Sequence, residues 1–179
     1  MKKSILFIFF WLHAYYGTCQ VLQSENGYVR FFSSALIEDI TAENHQAKAL
    51  FNPETNEAVF LIPIADFEFN KKLMKEHFNE NYMESDKYPE AYFKGTISGY
   101  QDGATRSDAI AEGEMMIHGV KNKVRIPGEI VRQNNALLLK AVFQVALEDY
   151  DIEIPKLMFQ KIAEEVEVTI QFEFQNPSL

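Results

Sequence analysis

Cysteine is almost missing from this chain: Cys19 is the one instance in 179 residues. With the segment up to Cys19 removed, the remaining chain has no disulfide, no thiol nucleophile and no cysteine-held metal, so its fold rests on its core. Phosphate-cradling glycine loops, a Gly-x-Ser-x-Gly elbow and a dinucleotide fingerprint are absent as well. Basic residues number 17 against 26 acidic ones, a formal charge of −9 that becomes −11 once Lys2 and Lys3 are lost. That sign argues against nucleic acid as a partner and against charge-driven binding to anionic headgroups.

What is present begins with a leader. Lys2 and Lys3 precede an apolar run from Ser4 to Tyr16, and Gly17-Thr18-Cys19 supplies small residues before Gln20. The run falls short of the roughly 20 residues a membrane span needs, so residues 1–19 are expected to be an export signal and residues 20–179 the domain, periplasmic or secreted, with no stable membrane insertion. Lipoprotein anchoring at Cys19 is the less favoured alternative, because Thr18 and Tyr16 suit that processing poorly.

The rest of the chain is strand-like by period. Aromatics make up 13% of it, with 15 Phe and 8 Tyr, and a hydrophobic fraction of 47% excludes a disordered chain. Strands are predicted over 28–33, 40–51, 58–64, 91–100, 107–118, 123–132, 136–147 and 163–175. In 40–51 the alternation begins on Ile40 and Ala42 and resumes on Ala47, Ala49 and Phe51, a change of phase that predicts a bulge. The run 58–64 is apolar on both faces, and a helix packed on it would bury both. Turns are predicted at 52–57, 101–104, 119–122 and Asn134-Asn135. The last strand alternates most cleanly, Val166, Val168, Ile170, Phe172 and Phe174 against Glu165, Glu167, Thr169, Gln171 and Glu173.

One stretch departs from this spacing. After Asn70, read as an N-cap, Leu73, Met74, His77 and Phe78 form one apolar helical face, and Pro89 ends whatever follows. The whole is an all-β meander: an eight-stranded antiparallel, lipocalin-like barrel with one short helical insertion near residues 70–88, since closure hides the strand edges. A flattened sandwich is the alternative.

Small residues on the inward face of two neighbouring strands (Ala91, Gly95 and Gly99; Ala109, Ala111 and Gly113) favour room inside. Its lining is expected from Phe31, Phe93, Ile97, Ala109, Ala111, Met115, Ile117, Phe143, Val145, Val168, Ile170 and Phe172, with Leu73, Met74 and Phe78 from the helix. An oily slot of this kind suits a hydrocarbon chain rather than a sugar or nucleotide. The competing reading has Phe and Met filling the space.

His77 and His118 are candidate polar contacts. Neither has a partner at metal-site spacing, so no metal is expected. The runs Glu148-Asp149-Tyr150-Asp151 and Glu164-Glu165 with Glu167 read as solvated faces. No catalytic residue or cofactor is assigned. A hydrolase or isomerase using His118 would need a carboxylate within reach and a shared pocket.

Three motifs carry a resemblance: Leu73-Met-Lys-Glu-His-Phe78, then Tyr88-Pro-Glu-Ala-Tyr-Phe93, then Gly113-Glu-Met-Met-Ile-His-Gly-Val120. In order and spacing they are similar to the helix, the "YP-x-x-x-F" strand entry and the "G-x-L-x-I-H-G-V" hairpin of the YceI-like family, over about 27–174. The resemblance implies an exported, non-enzymatic barrel that holds a polyisoprenoid or quinone-type tail, as carrier or sequestering protein. A filled-barrel envelope stress or interaction protein without a ligand is the alternative, and a homodimer is compatible with either. The chain departs from the family at Phe32-Ser-Ser-Ala35, which lacks a histidine, at Asn70-Lys-Lys72 in place of an Arg-Asp pair, and at Met115-Met116. Those departures leave the polar end of any ligand site unassigned.

Overall fold

The computed structural model describes residues 21–34, 39–133, 136–154 and 163–175. Residues 1–19, where a leader is expected, with Cys19, Ala35, the expected turn at Asn134-Asn135 and Pro155-Lys156 lie outside the described residues.

The strands are β1 (Leu22–Ser33), β2 (Ile40–Phe51), β3 (Glu57–Pro63), the two-residue β4 (Glu68–Phe69), β5 (Glu90–Ser98), β6 (Arg106–Ile117), β7 (Val120–Gln133), β8 (Ala136–Ala146) and β9 (Glu165–Gln175), and helix α1 is Lys72–His77. The long strands pair in chain order, each antiparallel to the next, and β9 returns to β1 with Val29 opposite Ile170 and Phe31 opposite Val168. The sheet therefore closes into an eight-stranded barrel, not a sandwich. Closure leaves one wet and one dry face per strand, which is the alternation the sequence carries.

The predicted bulge is in β2. Val29 pairs with Asn44 and Gly27 with Ala47, so two residues of β1 span three of β2, and His45 and Gln46 are pushed outward. Fully buried Asn44 stabilises the kink: its Oδ1 accepts from the Gln46 amide at 2.7 Å and its Nδ2 donates to the Pro63 carbonyl at 2.7 Å. A buried amide so satisfied costs little, whereas an apolar residue would remove the partner of the Pro63 carbonyl and of the Gln46 amide.

Several predicted boundaries move. The first strand starts at Leu22, and Gly27 sits inside it at a register shift instead of opening it. A Cβ on Gly27 would lie 2.1 Å from the Phe172 ring, so the missing side chain is the seat of that fully buried Phe. The turn predicted at 119–122 is two residues, His118 and Gly119, both at positive φ (52° and 78°), with Ile117 paired to Val120. That is the tight hairpin turn whose twist matches the strands, and it lengthens β7 by three residues. The last strand begins at Glu165. Strand β3 is buried on one face only, because α1 packs over the barrel end and leaves Val59 exposed.

Candidate ligand-binding site

The barrel is filled at one end and hollow at the other. At the end holding the β2–β3 and β5–β6 turns, Phe51, Phe174 and Leu137 are buried against Tyr100. Above them Phe60 packs edge-on to Phe172 at 4.8 Å and to Phe93 at 6.0 Å, forming a floor. Over that floor lies a cavity of about 250 Å³, near the lower end of the ~300–1,000 Å³ typical of small-molecule pockets. The space between Phe93, Ile117 and Phe143 is open, so the barrel is not filled throughout.

The walls combine long and short side chains. Phe31, Phe93, Ile97, Ala109, Ala111, Met115, Ile117, Phe143, Val145, Val168, Ile170 and Phe172 all line the cavity. Ala109 and Ala111 on β6 supply much of the room by ending at Cβ. Gly95 and Gly113 do something else. They face each other directly, and a Cβ on either would lie 2.2 Å from the Glu112 carbonyl or 2.4 Å from the Lys94 carbonyl. Their absent side chains admit the crowded backbone of a bent strand pair rather than a ligand. Gly99, also expected to point inward, lies beyond the end of β5 at φ 92° and is exposed.

The roof comes from the connection between β3 and β5. Helix α1 begins one residue later than predicted; Lys71 occupies the N-cap position without a side-chain cap, so Asn70 does not cap it. The chain then continues through a π-helical turn over Phe78–Tyr82. That turn aims Tyr82 and Met83 down with Met74, His77 and Phe78. The ring of Phe78 is held by Phe31, Phe67 and Phe69 at 5.0–5.5 Å between centroids. Leu73 is not part of the lining. It is 61% exposed on the outer side of α1, because six residues of helix give room for one inward row and Met74, His77 and Phe78 occupy it.

Polar groups are sparse in the cavity. Ser33 lies at the roof end, its hydroxyl accepting from the Ala163 amide at 3.2 Å. His77 and Tyr82 belong to the roof, and burial raises the Tyr82 phenol above its usual range, so it stays neutral at physiological pH. Glu129 and Lys140 border the cavity at one place in the wall, where Glu129 pairs with Arg106.

His118 does not reach the cavity. Its Nδ1–H donates to the Tyr150 carbonyl at 3.2 Å, its Nε2 lies 3.1 Å from the Glu84 carboxylate, and its ring meets Tyr88 edge-on at 4.5 Å. Both ring nitrogens face acceptor oxygens, one a carbonyl and one a carboxylate. A carboxylate is thus within reach, but His118 and Glu84 do not line the barrel cavity and tie three loops together outside the roof. The acidic run at 148–151 forms a 3-10 turn, Glu148–Tyr150, which buries Tyr150 and leaves Asp149 exposed. Among the described residues, no three of His, Cys, Asp and Glu gather as a metal site requires, and no helix is long and apolar enough to cross a membrane.

Tyr82 and Met83 were missed because a π turn carries no periodic signal. The Glu129–Lys140 border was missed because both occupy outward positions of strands β7 and β8.

Comparison with known proteins agrees with this geometry. The model of the YceI-like domain matches residues 21–174. Among solved structures, BcnA of Burkholderia cenocepacia is 16% identical, with 82% of this chain and 95% of that one covered and a TM-score of 0.69. A polyisoprenoid-binding domain from Saccharophagus degradans is 14% identical over 88% of this chain and 98% of that one, also at 0.69. The YCEI protein of Campylobacter jejuni is 14% identical, with 99% and 100% covered and a TM-score of 0.55. A comparison with curated proteins finds no match.

Proposed function

The chain belongs to the YceI-like family, and on that premise we propose that it is an exported, non-catalytic protein that holds a long apolar molecule, a polyisoprenoid or the tail of a quinone, in the roofed half of its barrel. The observation that carries this reading is the cavity of about 250 Å³ between the Phe60–Phe172 floor and the Phe78 roof, with walls of Phe, Ile, Val, Met and Ala. Each methylene moved from water into such a lining contributes roughly 0.8 kcal/mol, so a partly enclosed chain is held without a polar anchor. A sugar or nucleotide would leave its hydrogen-bonding groups unpaired there. A carrier or sequestering role is supported by a lining that is apolar apart from a few groups such as Ser33, His77, Tyr82, Glu129 and Lys140, and export by the leader expected at residues 1–19, which would be lost before the barrel works in the periplasm or outside the cell.

The test is extraction. The protein is expressed with its leader, recovered from the cell envelope, extracted with organic solvent and analysed by mass spectrometry, then incubated with added polyprenols. A co-purifying or captured prenyl lipid is the expected result. A lipid-free protein that also ignores added polyprenols overturns the proposal.

A further inference from the structure

The barrel wall is not hydrogen-bonded all the way round. Strands β7 and β8 share rungs from Gln133 opposite Ala136 to Gly128 opposite Ala141. Beyond that rung β7 runs on from Pro127 to Val120, and β8 from Val142 to Ala146, with no rung between them. Each stays fully paired on its other side, β7 to β6 as far as Val120 and β8 to β9 as far as Ala146. The two strands therefore part beside the hollow half of the barrel. Pro127, the first residue past the last rung, has no N–H to donate and cannot extend the ladder.

The cavity reaches this parting. Gly128 with Glu129, and Lys140 with Ala141, line it from the two sides of the last rung. Neighbouring residues of a strand point to opposite faces of a wall, so their joint contact with one cavity is what a breach beside that rung admits. Ile126 and Phe143, which a continued ladder would set opposite each other, also line the cavity. At the upper end of the parting the 3-10 turn after β8 bridges the gap: Asn122 Nδ2 donates to the Asp149 carbonyl at 2.6 Å, and Tyr150 and Ile152 are buried. The roof, by contrast, is closed by the interlocked rings of Phe31, Phe67, Phe69 and Phe78.

We propose that the parting between β7 and β8 is a lateral portal, through which a linear apolar chain enters and leaves the cavity while α1 stays in place. The proposal rests on the apolar-ligand reading above. It follows from the relative cost of opening. Lifting the roof exposes four packed aromatic rings, whereas a portal at the parting breaks no backbone hydrogen bond between β7 and β8, because among the described residues they share no rung there. Ile126 and Phe143 offer an oily passage, and Lys140 and Glu129 stand at its lower edge where a polar head group would meet water.

The test locks the portal. In the full chain with Cys19→Ser, Arg125→Cys and Gln144→Cys place thiols on outward, exposed positions that a continued ladder would set opposite each other. A short bismaleimide joins them. The probe is cis-parinaric acid, a linear polyene that fluoresces when it enters an apolar site. Cross-linking is expected to slow both uptake and release at least tenfold, with equilibrium affinity within twofold of the unlinked protein; single-cysteine variants carrying a monomaleimide keep their rates. Should the cross-link not form, Arg125→Trp with Gln144→Trp makes the same test by bulk. Unchanged rates in the locked or crowded protein overturn the portal. Failure of the unlocked parent to take up the probe or any added polyprenol is a different result: it overturns the apolar-ligand reading, and the portal with it.

Discussion

Phe78 lies stacked on Phe31, the ring centroids 5.5 Å apart and the planes 20° from parallel. The contact joins the end of a six-residue helix to the inner face of the first strand, across almost 50 positions of sequence. A helix that short has no stability of its own in water, so this packing is what keeps α1 over the cavity.

Phe78→Ala is accordingly expected to destabilise the protein by about 2–3 kcal/mol, below the range for a fully buried Phe because the ring is only half-buried. Denaturant titration measures it. Hydrogen exchange should show the loss concentrated in residues 72–83, with the β6–β7 hairpin unchanged.

Ala111→Phe should separate ligand binding from folding. The new ring grows into vacant space, so the stability change is expected to stay under about 1 kcal/mol, against the 1–3 kcal/mol that overpacking costs in a filled core. Binding of a prenyl lipid should weaken at least tenfold, read by the same extraction and uptake measurements.

Gly27→Ala is the opposite case. Its Cβ would fall within 2.1 Å of the buried Phe172 ring, where no space remains. A loss of about 1–3 kcal/mol is expected, and Gly27→Ala combined with Phe172→Leu should recover part of it, a non-additivity that a double-mutant cycle reads directly.

Glu114 offers a pH-dependent test. The Tyr92 hydroxyl donates to its carboxylate at 2.8 Å and Lys121 pairs with it at 3.1 Å, and these contacts hold its carboxyl below the usual range. A carboxyl depressed in the folded state contributes stability that is present above its unfolded value and is lost as pH falls through its folded value. Glu114→Gln should therefore lower Tm slightly at pH 7, and the gap between the two proteins should close in acid. A gap that widens toward low pH would contradict the assignment.

His118→Ala removes a tie between the β6–β7 hairpin, the turn at Tyr150 and the loop at Glu84. Faster amide exchange is expected at residues 84–88 and 147–152. Affinity for a bound lipid should stay within twofold, because the imidazole lies outside the cavity.

Much of the barrel was legible in the chain. Val166, Val168, Ile170, Phe172 and Phe174 alternate without a break, and the structure turns all of them inward, because a strand in a closed wall has one dry side and one wet side. The phase change between Ala42 and Ala47 located the bulge for the same reason: an extra residue must show as a slip in the pattern. Where the wall meets the roof, period failed as a guide. Leu73 fits the apolar row of α1 as well as Met74 does, and only the seating of Phe78 on Phe31 decides which of them faces in.

By itself, then, the sequence determined the class of fold, the inward residues of nearly every strand and an oily interior, because alternation and side-chain volume are properties of neighbours along the chain. Tertiary structure alone decided that Gly95 and Gly113 serve strand crowding, that His118 rivets loops outside the cavity and that β7 parts from β8 beyond Gly128, toward the roof. Each of those depends on distances between segments remote in sequence, and no local pattern records them.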